Sequence, residues 1–178
     1  MNFLSRTSRR QSNLLGAAIC AALMGFALYA QYGLHLTPCN MCILQRIAVV
    51  ALGAVFLVAG VHNPGRGGAR FYALLIGVAT LLSVSFSARQ VWMQLQPEGS
   101  LPSCGADFYT MLDMLPVRDV VTRIWMGGAD CQKITWSFLG LSMAAWLVII
   151  VTLLGLGGIT ANLNGRGKRG EDQRIRFA

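Results

Sequence analysis

The chain has 178 residues, of which 54% are hydrophobic and only 12% are charged, a composition too apolar for a soluble domain of this length. A formal net charge of +8 would favour a nucleic-acid partner in a soluble protein. Here most basic residues lie beside long apolar runs, and no basic stripe alternates with aromatic side chains. The composition therefore predicts a protein of the lipid bilayer with no nucleic-acid partner.

Four apolar segments are long enough to cross the hydrocarbon core of a bilayer, which takes about 20 residues of helix. Each segment is continuously apolar rather than alternating, which favours helices over barrel strands. The first follows several arginines, but its apolar run is longer than the roughly 7–15 residues of a signal peptide, so we expect it to be retained. The predicted spans are Leu14–Tyr32, Ile43–Val61, Phe71–Trp92 and Trp136–Ile159.

The distribution of positive charge predicts how the chain is oriented. Ten of the fifteen Lys and Arg residues lie in the N-terminal tail, in the short connection between the second and third spans, and in the tail 160–178. The positive-inside rule places these segments, and with them both termini, in the cytoplasm. The loops 33–41 and 93–135 are then periplasmic. The predicted fold class is an all-α membrane protein, a four-transmembrane-helix bundle that forms one domain over residues 1–178.

The long loop 93–135 contains a pattern typical of a short amphipathic helix. Pro116 stands where such a helix would begin. One face would carry the apolar residues Val117, Val120, Val121, Ile124 and Trp125, and the other Arg118, Asp119, Thr122 and Arg123. A helix of this kind lies in the membrane interface or packs on the end of the bundle, and the pattern does not decide between the two.

The five cysteines fall into two groups. Cys20 lies within the first span, where a small apolar thiol needs no role beyond packing. Cys39, Cys42, Cys104 and Cys131 all lie in predicted outer segments, where an oxidising compartment favours disulfides. Structural disulfides and a four-thiolate zinc site are the alternatives, although zinc sites usually have two C-x-x-C pairs and this chain has one. The small ring of a C-x-x-C disulfide contributes little stability, which favours a redox role.

Arg46 gives this redox pair a chemical context. It follows Cys42 by four residues, so both project from one helical face. A thiol at a helix N-terminus gains thiolate character. A charged residue one turn deeper in the membrane is costly, which favours a functional role for Arg46. The alternative is that Arg46 snorkels to the headgroups. No nucleotide fingerprint is present, and His35 and His62 fall on opposite predicted sides, which argues against a haem between them. A lipid-soluble quinone remains as electron acceptor, with Arg46 placed to meet its oxygen.

Several stretches of the sequence form a specific combination with the four spans. They are Pro38–Arg46 (Pro-Cys-Asn-Met-Cys-Ile-Leu-Gln-Arg), Cys104, Gly128–Cys131 and Trp136–Met143. On these residues the chain resembles the disulfide bond formation protein B (DsbB) family over roughly Leu14–Ile159. The resemblance implies an enzyme, a quinone-dependent protein thiol:disulfide oxidoreductase of the bacterial inner membrane. It would reoxidise a periplasmic DsbA-like thiol oxidase and pass the electrons to ubiquinone or menaquinone, without a metal.

The resemblance also implies a role for each site residue. Cys104 forms the mixed disulfide with the partner oxidase, and Cys131 is its disulfide mate. The Cys39–Cys42 disulfide reoxidises that pair, with Cys39 exchanging toward the loop and Cys42 facing the quinone. Arg46 matches the quinone-site arginine of the family.

The third span departs from the pattern of some family members. They carry a histidine near its outer end, where this chain has Gln90. Gln90 is therefore a candidate quinone-site residue that cannot relay protons as a histidine does. Arg89, its neighbour, is a further candidate.

Two other functions compete with the oxidoreductase. A small transporter or assembly factor with purely structural external disulfides would need ionisable residues deep in the bundle, and the first and fourth spans contain no Asp, Glu, Lys or Arg. A quinone-linked thiol oxidase of the vitamin K epoxide reductase type usually has its C-x-x-C near the end of a later span. Here the motif opens the second span.

Overall fold

The computed structural model describes residues 8–97, 100–101, 108–134 and 136–164. Within these ranges, four helices are long and apolar enough to cross a membrane. They are α1 (Arg9–Tyr32), α2 (Asn40–His62), α3 (Arg66–Gln94) and α7 (Met143–Asn164). Between α3 and α7 lie three shorter helices and a hairpin: α4 (Phe108–Met114), α5 (Val117–Met126), α6 (Ala129–Gln132), β1 (Ser137–Phe138) and β2 (Leu141–Ser142). The predicted all-α membrane fold is confirmed.

The four long helices pack as a closed ring. Helix α1 contacts α2 and α7, and α3 contacts the same two helices from the other side. The middle of the bundle is filled by a cluster that we call the mid-span core: Cys20, Val49, Leu52, Phe56, Ile76 and Val151. Glycines allow close approach to this core, since a Cβ at Gly16 would lie 2.9 Å from the Phe56 ring and one at Gly158 would lie 2.5 Å from it. The helices therefore meet tightly around Phe56.

The turns between the long helices follow from local sequence. Ser8 caps α1 by accepting a hydrogen bond from the Gln11 amide at 3.3 Å, and the Gln11 side chain accepts from the Ser8 amide at 3.1 Å. Asn63 ends α2 in the left-handed conformation at φ 42°, a region that asparagine tolerates better than most residues. Pro64 and Gly65 then lead directly into α3. The connection is short, so α2 and α3 are antiparallel neighbours.

A pair of buried asparagines joins the first and last helices far from the cysteines of the loops. The Asn13 amide nitrogen donates to Asn162 Oδ1 at 3.1 Å, and the Asn162 amide nitrogen donates back to Asn13 Oδ1 at 2.8 Å. Both side chains are 1% exposed. Because every polar group of the pair has a partner, the contact fixes α1 against α7 without an unsatisfied buried amide.

Helix α5 begins directly after Pro116, as its amphipathic pattern predicts. Val120 and Ile124 are each 1% exposed and enter a second cluster, the loop-side core, formed by Met41, Leu44, Met93, Phe108, Met111, Val120, Ile124 and Cys131. Val117 and Trp125 on the same helix are exposed. The helix thus packs on the end of the bundle and still presents apolar side chains outward.

The segment after residue 135 differs from the continuous span that its apolar sequence predicts. Ser137–Phe138 and Leu141–Ser142 pair as antiparallel strands, and α7 begins only at Met143. The two residues between the strands, Leu139 and Gly140, have φ values of 52° and 78°, which is the pattern of a type I′ hairpin turn. The Trp146 indole N–H donates to the Phe138 carbonyl at 3.0 Å and ties the hairpin to α7. Gly140 makes this reversal possible, so the apolar run is divided between hairpin and helix.

Candidate redox site

The C-x-x-C pair stands at the beginning of α2. Cys39 is the N-cap residue in an extended conformation, and its sulfur accepts a hydrogen bond from the Cys42 amide at 3.4 Å. It therefore occupies the place that a serine or aspartate oxygen takes in other helices. The two sulfur atoms are 2.8 Å apart. The helix starts at Asn40, earlier than the sequence pattern predicts, so both thiols lie within its first turn, at the positive end of the helix dipole.

Cys131 approaches the same pair from the loop. It lies in α6, is 1% exposed and belongs to the loop-side core, against which Cys39 also packs. Its sulfur accepts hydrogen bonds from the Cys39 thiol and from the Met41 backbone amide, and these donors outweigh burial and lower its pKa to about 7. The hydrogen bond to Cys131, followed by that to Cys42 and by burial, raises the pKa of Cys39. The structure therefore gathers Cys39, Cys42 and Cys131 into one cluster.

The neighbourhood of Cys131 is held from several sides. The Gln132 side-chain amide donates to the Pro97 carbonyl at 2.9 Å and to the Ser100 hydroxyl at 3.1 Å. Gly127, just before α6, has φ 89° and lies against the Met93 sulfur. A β-carbon at Gly127 would collide with that sulfur, so only glycine fits this bend. Cys104, the fourth predicted redox cysteine, lies outside the described residues.

Two glutamines complete the environment of the sulfur pair. The Gln45 side-chain nitrogen donates to Gln90 Oε1 at 2.7 Å, and both residues are buried. The Gln90 side-chain nitrogen lies 3.4 Å from the Cys42 sulfur and 3.5 Å from the Cys39 sulfur. Gln90, predicted as a quinone-site candidate, thus contacts the thiols themselves. Gln45 is missing from the residues that sequence reasoning singles out, although its position three residues after Cys42 puts it on nearly the same helical face.

Arg46 lies one turn below Cys42 and is held against α1. One guanidinium nitrogen donates to the Ala27 carbonyl at 3.0 Å, and the other terminal nitrogen donates to Gln31 Oε1. Arginine has five N–H groups, so these two bonds leave donors for a further acceptor. Arg89 points elsewhere: it donates to the Trp125 carbonyl at 3.1 Å and to the Met126 carbonyl at 3.2 Å, at the C-terminus of α5. Arg89 therefore anchors the loop helix and does not join the cysteines.

A cavity of about 310 Å³ opens beside the cysteine pair, between α1, α2, α3 and α7. One part of its wall is polar and carries Cys39, Cys42, Gln45, Arg46, Gln90 and Gln94. Another part is aromatic and carries Phe26, Trp136, Phe138 and Trp146. Trp136 stacks on Phe138 with the rings 16° from parallel, and Phe26 meets Trp136 edge-on. Across the described ranges, no three His, Cys, Asp or Glu side chains are arranged to hold a metal ion.

Comparison with known proteins identifies the family. A family model described as disulfide bond formation protein DsbB matches residues 9–161. The chain belongs to the DsbB family. Curated relatives named disulfide bond formation protein B include one from Aromatoleum aromaticum, 44% identical over 84% of this chain and 90% of the relative. The relative from Nitrosococcus oceani is 40% identical over 85% of this chain and 89% of the relative. The relative from Chromobacterium violaceum is 40% identical over 92% of this chain and 97% of the relative.

Family membership confirms the resemblance found in the sequence and the enzyme class that it implies. The protein is a membrane thiol:disulfide oxidoreductase of disulfide bond formation. Four helices fit to span a membrane, found in the described part of the chain, agree with this class.

Proposed function

We propose that this DsbB-family enzyme transfers electrons from a reduced, periplasmic DsbA-like thiol oxidase to a membrane quinone. The observation that carries the proposal is the position of Cys39. It hydrogen-bonds both to Cys42, which lines the cavity, and to Cys131, which comes from the loop. One sulfur is thus within reach of the acceptor side through Cys42 and of the donor side through Cys131.

The proposed orientation places the cysteine cluster in the periplasm and both termini in the cytoplasm, in a single membrane domain of residues 1–178. The excess of Lys and Arg in the two tails and in the α2–α3 connection supports this orientation. Cys39 and Cys131 lie at the opposite end of the bundle from that connection, since α2 runs from Cys39 to its end at His62. The cytoplasmic membrane of a bacterium then separates the redox site from the reducing cytosol.

The donor side uses two successive thiol–disulfide exchanges. A thiolate of the partner attacks Cys104 of a Cys104–Cys131 disulfide, a partner–Cys104 bond forms, and Cys131 leaves as a thiolate. The Cys131 thiolate then attacks Cys39, forms a Cys39–Cys131 bond and displaces Cys42 as a thiolate. The Met41 backbone amide donates to the Cys131 sulfur and stabilises it as a thiolate, which suits Cys131 to leave in the first step and to attack in the second.

The cavity fits a quinone headgroup at its polar and aromatic walls. Its volume of about 310 Å³ is at the lower end of the range for small-molecule sites, and it combines an apolar lining with a few polar groups, as such sites do. A quinone bound there supplies a two-electron acceptor that takes up two protons. Phe26 and Trp136 would contact its ring, Arg46 would donate to one of its oxygens, and Cys42 would face it.

The decisive test mixes the purified protein with a water-soluble quinone analogue and a reduced periplasmic thiol oxidase. We expect quinone reduction, followed by its absorbance, to depend on Cys39, Cys42, Cys104 and Cys131. Serine at any one of the four should reduce turnover to the rate without enzyme. If the Cys39→Ser, Cys42→Ser double variant still turned over, the redox role would be wrong, and the disulfides would be structural.

Replacing Arg46 tests the acceptor side separately. Arg46→Ala should raise the quinone KM by about tenfold or more, because a charge-assisted hydrogen bond contributes roughly 1.5–3 kcal/mol. Its effect on mixed-disulfide formation at Cys104 should be small. Arg89→Ala is the matched control, since it removes the same guanidinium from a residue that anchors α5. Equal losses in both assays for Arg46→Ala would assign Arg46 to folding.

A further inference from the structure

The hydrogen bond between Gln45 and Gln90 fixes which end of the Gln90 carboxamide faces the cysteines. The Gln45 nitrogen donates to Gln90 Oε1 at 2.7 Å, and the two residues are 6% and 5% exposed. With its oxygen engaged on α2, Gln90 directs its nitrogen toward the sulfur pair. The Cys42 sulfur is 3.4 Å from Nε2 and 3.8 Å from Oε1, so the donor is the nearer end of the amide.

The two sulfurs are 2.8 Å apart and lie on the same side of Gln90 Nε2, so one amide N–H can serve either of them. Gln90 Nε2 lies 3.4 Å from Cys42 and 3.5 Å from Cys39. A thiolate accepts such bonds more strongly than a thiol, because hydrogen bonds to charged groups are about twice as strong as neutral ones. The arrangement therefore favours whichever sulfur carries negative charge.

We propose that Gln90 is a catalytic residue that stabilises the Cys42 thiolate, and that Gln45 is the positioning residue that keeps an amide N–H of Gln90 on the sulfur pair. The inference builds on the proposed function. When an incoming thiolate attacks Cys39, a new S–S bond to Cys39 forms and the Cys39–Cys42 bond breaks. The electron pair goes to the Cys42 sulfur, where the Gln90 N–H already points.

Arg46 and Gln90 are held by different helices. The Arg46 guanidinium donates to the Ala27 carbonyl and to Gln31 on α1. Gln90, on α3, reaches the sulfurs from another helix. A carboxamide does not titrate, so its charge and its N–H donors are the same at every pH, whereas both change with pH in an imidazole.

The test is a double-mutant cycle on a protein whose only cysteine is Cys42, with the other four replaced by alanine or serine. The readout is the rate of Cys42 alkylation by iodoacetamide at pH 7 in detergent, without quinone or partner. Because only the thiolate reacts, Gln90→Leu should slow alkylation by roughly tenfold. Gln45→Leu should slow it when Gln90 is present and have no further effect when residue 90 is already leucine.

Three results would overturn the proposal. They are an unchanged rate in Gln90→Leu, an unchanged rate in Gln45→Leu, or independent effects of the two substitutions that multiply in the double variant. The Gln45→Leu, Gln90→Leu double variant replaces a satisfied polar pair by two apolar side chains and should fold, which circular dichroism checks. Where a single variant, with one amide unpaired, fails to fold, the double variant still removes the Gln90 N–H, and an unchanged alkylation rate in it overturns the proposal.

Steady-state kinetics on the four-cysteine enzyme then separate this role from quinone binding. Gln90→Leu should lower kcat about tenfold at saturating quinone and change the quinone KM by less than about twofold. A rise in KM with kcat unchanged would overturn the assignment to the sulfur. The alkylation result does not depend on quinone reduction, so a failure of the proposed electron acceptor would leave it standing.

Discussion

Cys20 and Cys131 are both almost completely buried, at 3% and 1% exposure, yet their surroundings differ in kind. Cys20 lies in the mid-span core among Leu52, Phe56 and other apolar side chains, with its β-carbon 2.9 Å from where a Cβ of Gly53 would be. Cys131 lies in the loop-side core but receives hydrogen bonds from the Cys39 thiol and the Met41 amide. Hydrogen-bond donors, not exposure, therefore distinguish the surroundings of Cys131 from those of Cys20.

The largest effect expected from this contrast is on turnover. With the reduced partner oxidase as electron donor, Cys131→Ser should lower the rate of quinone reduction to the rate without enzyme. A serine hydroxyl cannot take part in disulfide exchange. Cys20→Ala is the matched control from the other core and should retain normal turnover. Measurable turnover in Cys131→Ser would contradict a role of Cys131 in disulfide exchange. A large loss of turnover in Cys20→Ala would contradict a role of Cys20 in packing alone.

The next effect concerns the bend that carries Cys131. Gly127→Ala should lower the free energy of unfolding by about 2 kcal/mol or more, since the alanine would adopt φ 89° and its Cβ would meet the Met93 sulfur. Gly53→Ala in the mid-span core, where the backbone is helical, should cost less. Unfolding in increasing SDS, followed by circular dichroism, measures both. A larger loss for Gly53→Ala would show that the bend is not constrained.

A pH profile tests the lowered pKa of Cys131. In a variant that keeps only Cys39 and Cys131, both as thiols, iodoacetamide should alkylate Cys131, which peptide mass spectrometry distinguishes from Cys39. The thiolate is the attacking form, so the rate should rise with pH up to about 7 and then level off. In denaturing detergent the thiol returns to its ordinary value of 9.0, and the rate should keep rising to about that pH. Identical pH profiles in the folded and the denatured protein would mean that the hydrogen-bond donors do not lower the pKa of Cys131.

The smallest effect is on stability in the mid-span core. Cys20→Ala removes one buried sulfur and should lower the free energy of unfolding by roughly 1 kcal/mol, as the loss of a small buried group does. SDS unfolding monitored by circular dichroism measures the change. An increase in stability would mean that the thiol is poorly accommodated beside Gly53.

Much of the bundle could be predicted because its signals are local. A long apolar run specifies a spanning helix without reference to the rest of the chain, and the four predicted spans correspond to α1, α2, α3 and α7. The amphipathic pattern after Pro116 likewise predicted α5. The hairpin within the apolar run from residue 136 is harder to predict, because Leu139 and Leu141 are as apolar as a span requires. Only the left-handed backbone at Leu139 and Gly140 distinguishes the hairpin.

The sequence predicts the cysteines and Arg46 as candidate site residues, but it does not predict the contacts that they make. Gln45 and Gln90 are 45 residues apart, and no local pattern pairs them. The same holds for Cys131 and Cys39, whose contact depends on the bend at Gly127 and on how α5 packs. Arg89, adjacent to Gln90 in sequence, points to α5 because successive helical residues face different directions.

The buried asparagine pair has a consequence for biosynthesis. Asn13 is synthesised early and Asn162 is synthesised 149 residues later. The side-chain amide of Asn13 therefore has no Asn162 partner until α7 enters the membrane. The cavity beside Cys42 has the same requirement, because Trp146 and Leu147 of α7 form part of its wall. A nascent chain that stops before α7 therefore lacks part of the cavity wall beside Cys42, and the cavity is complete only when α7 is in place.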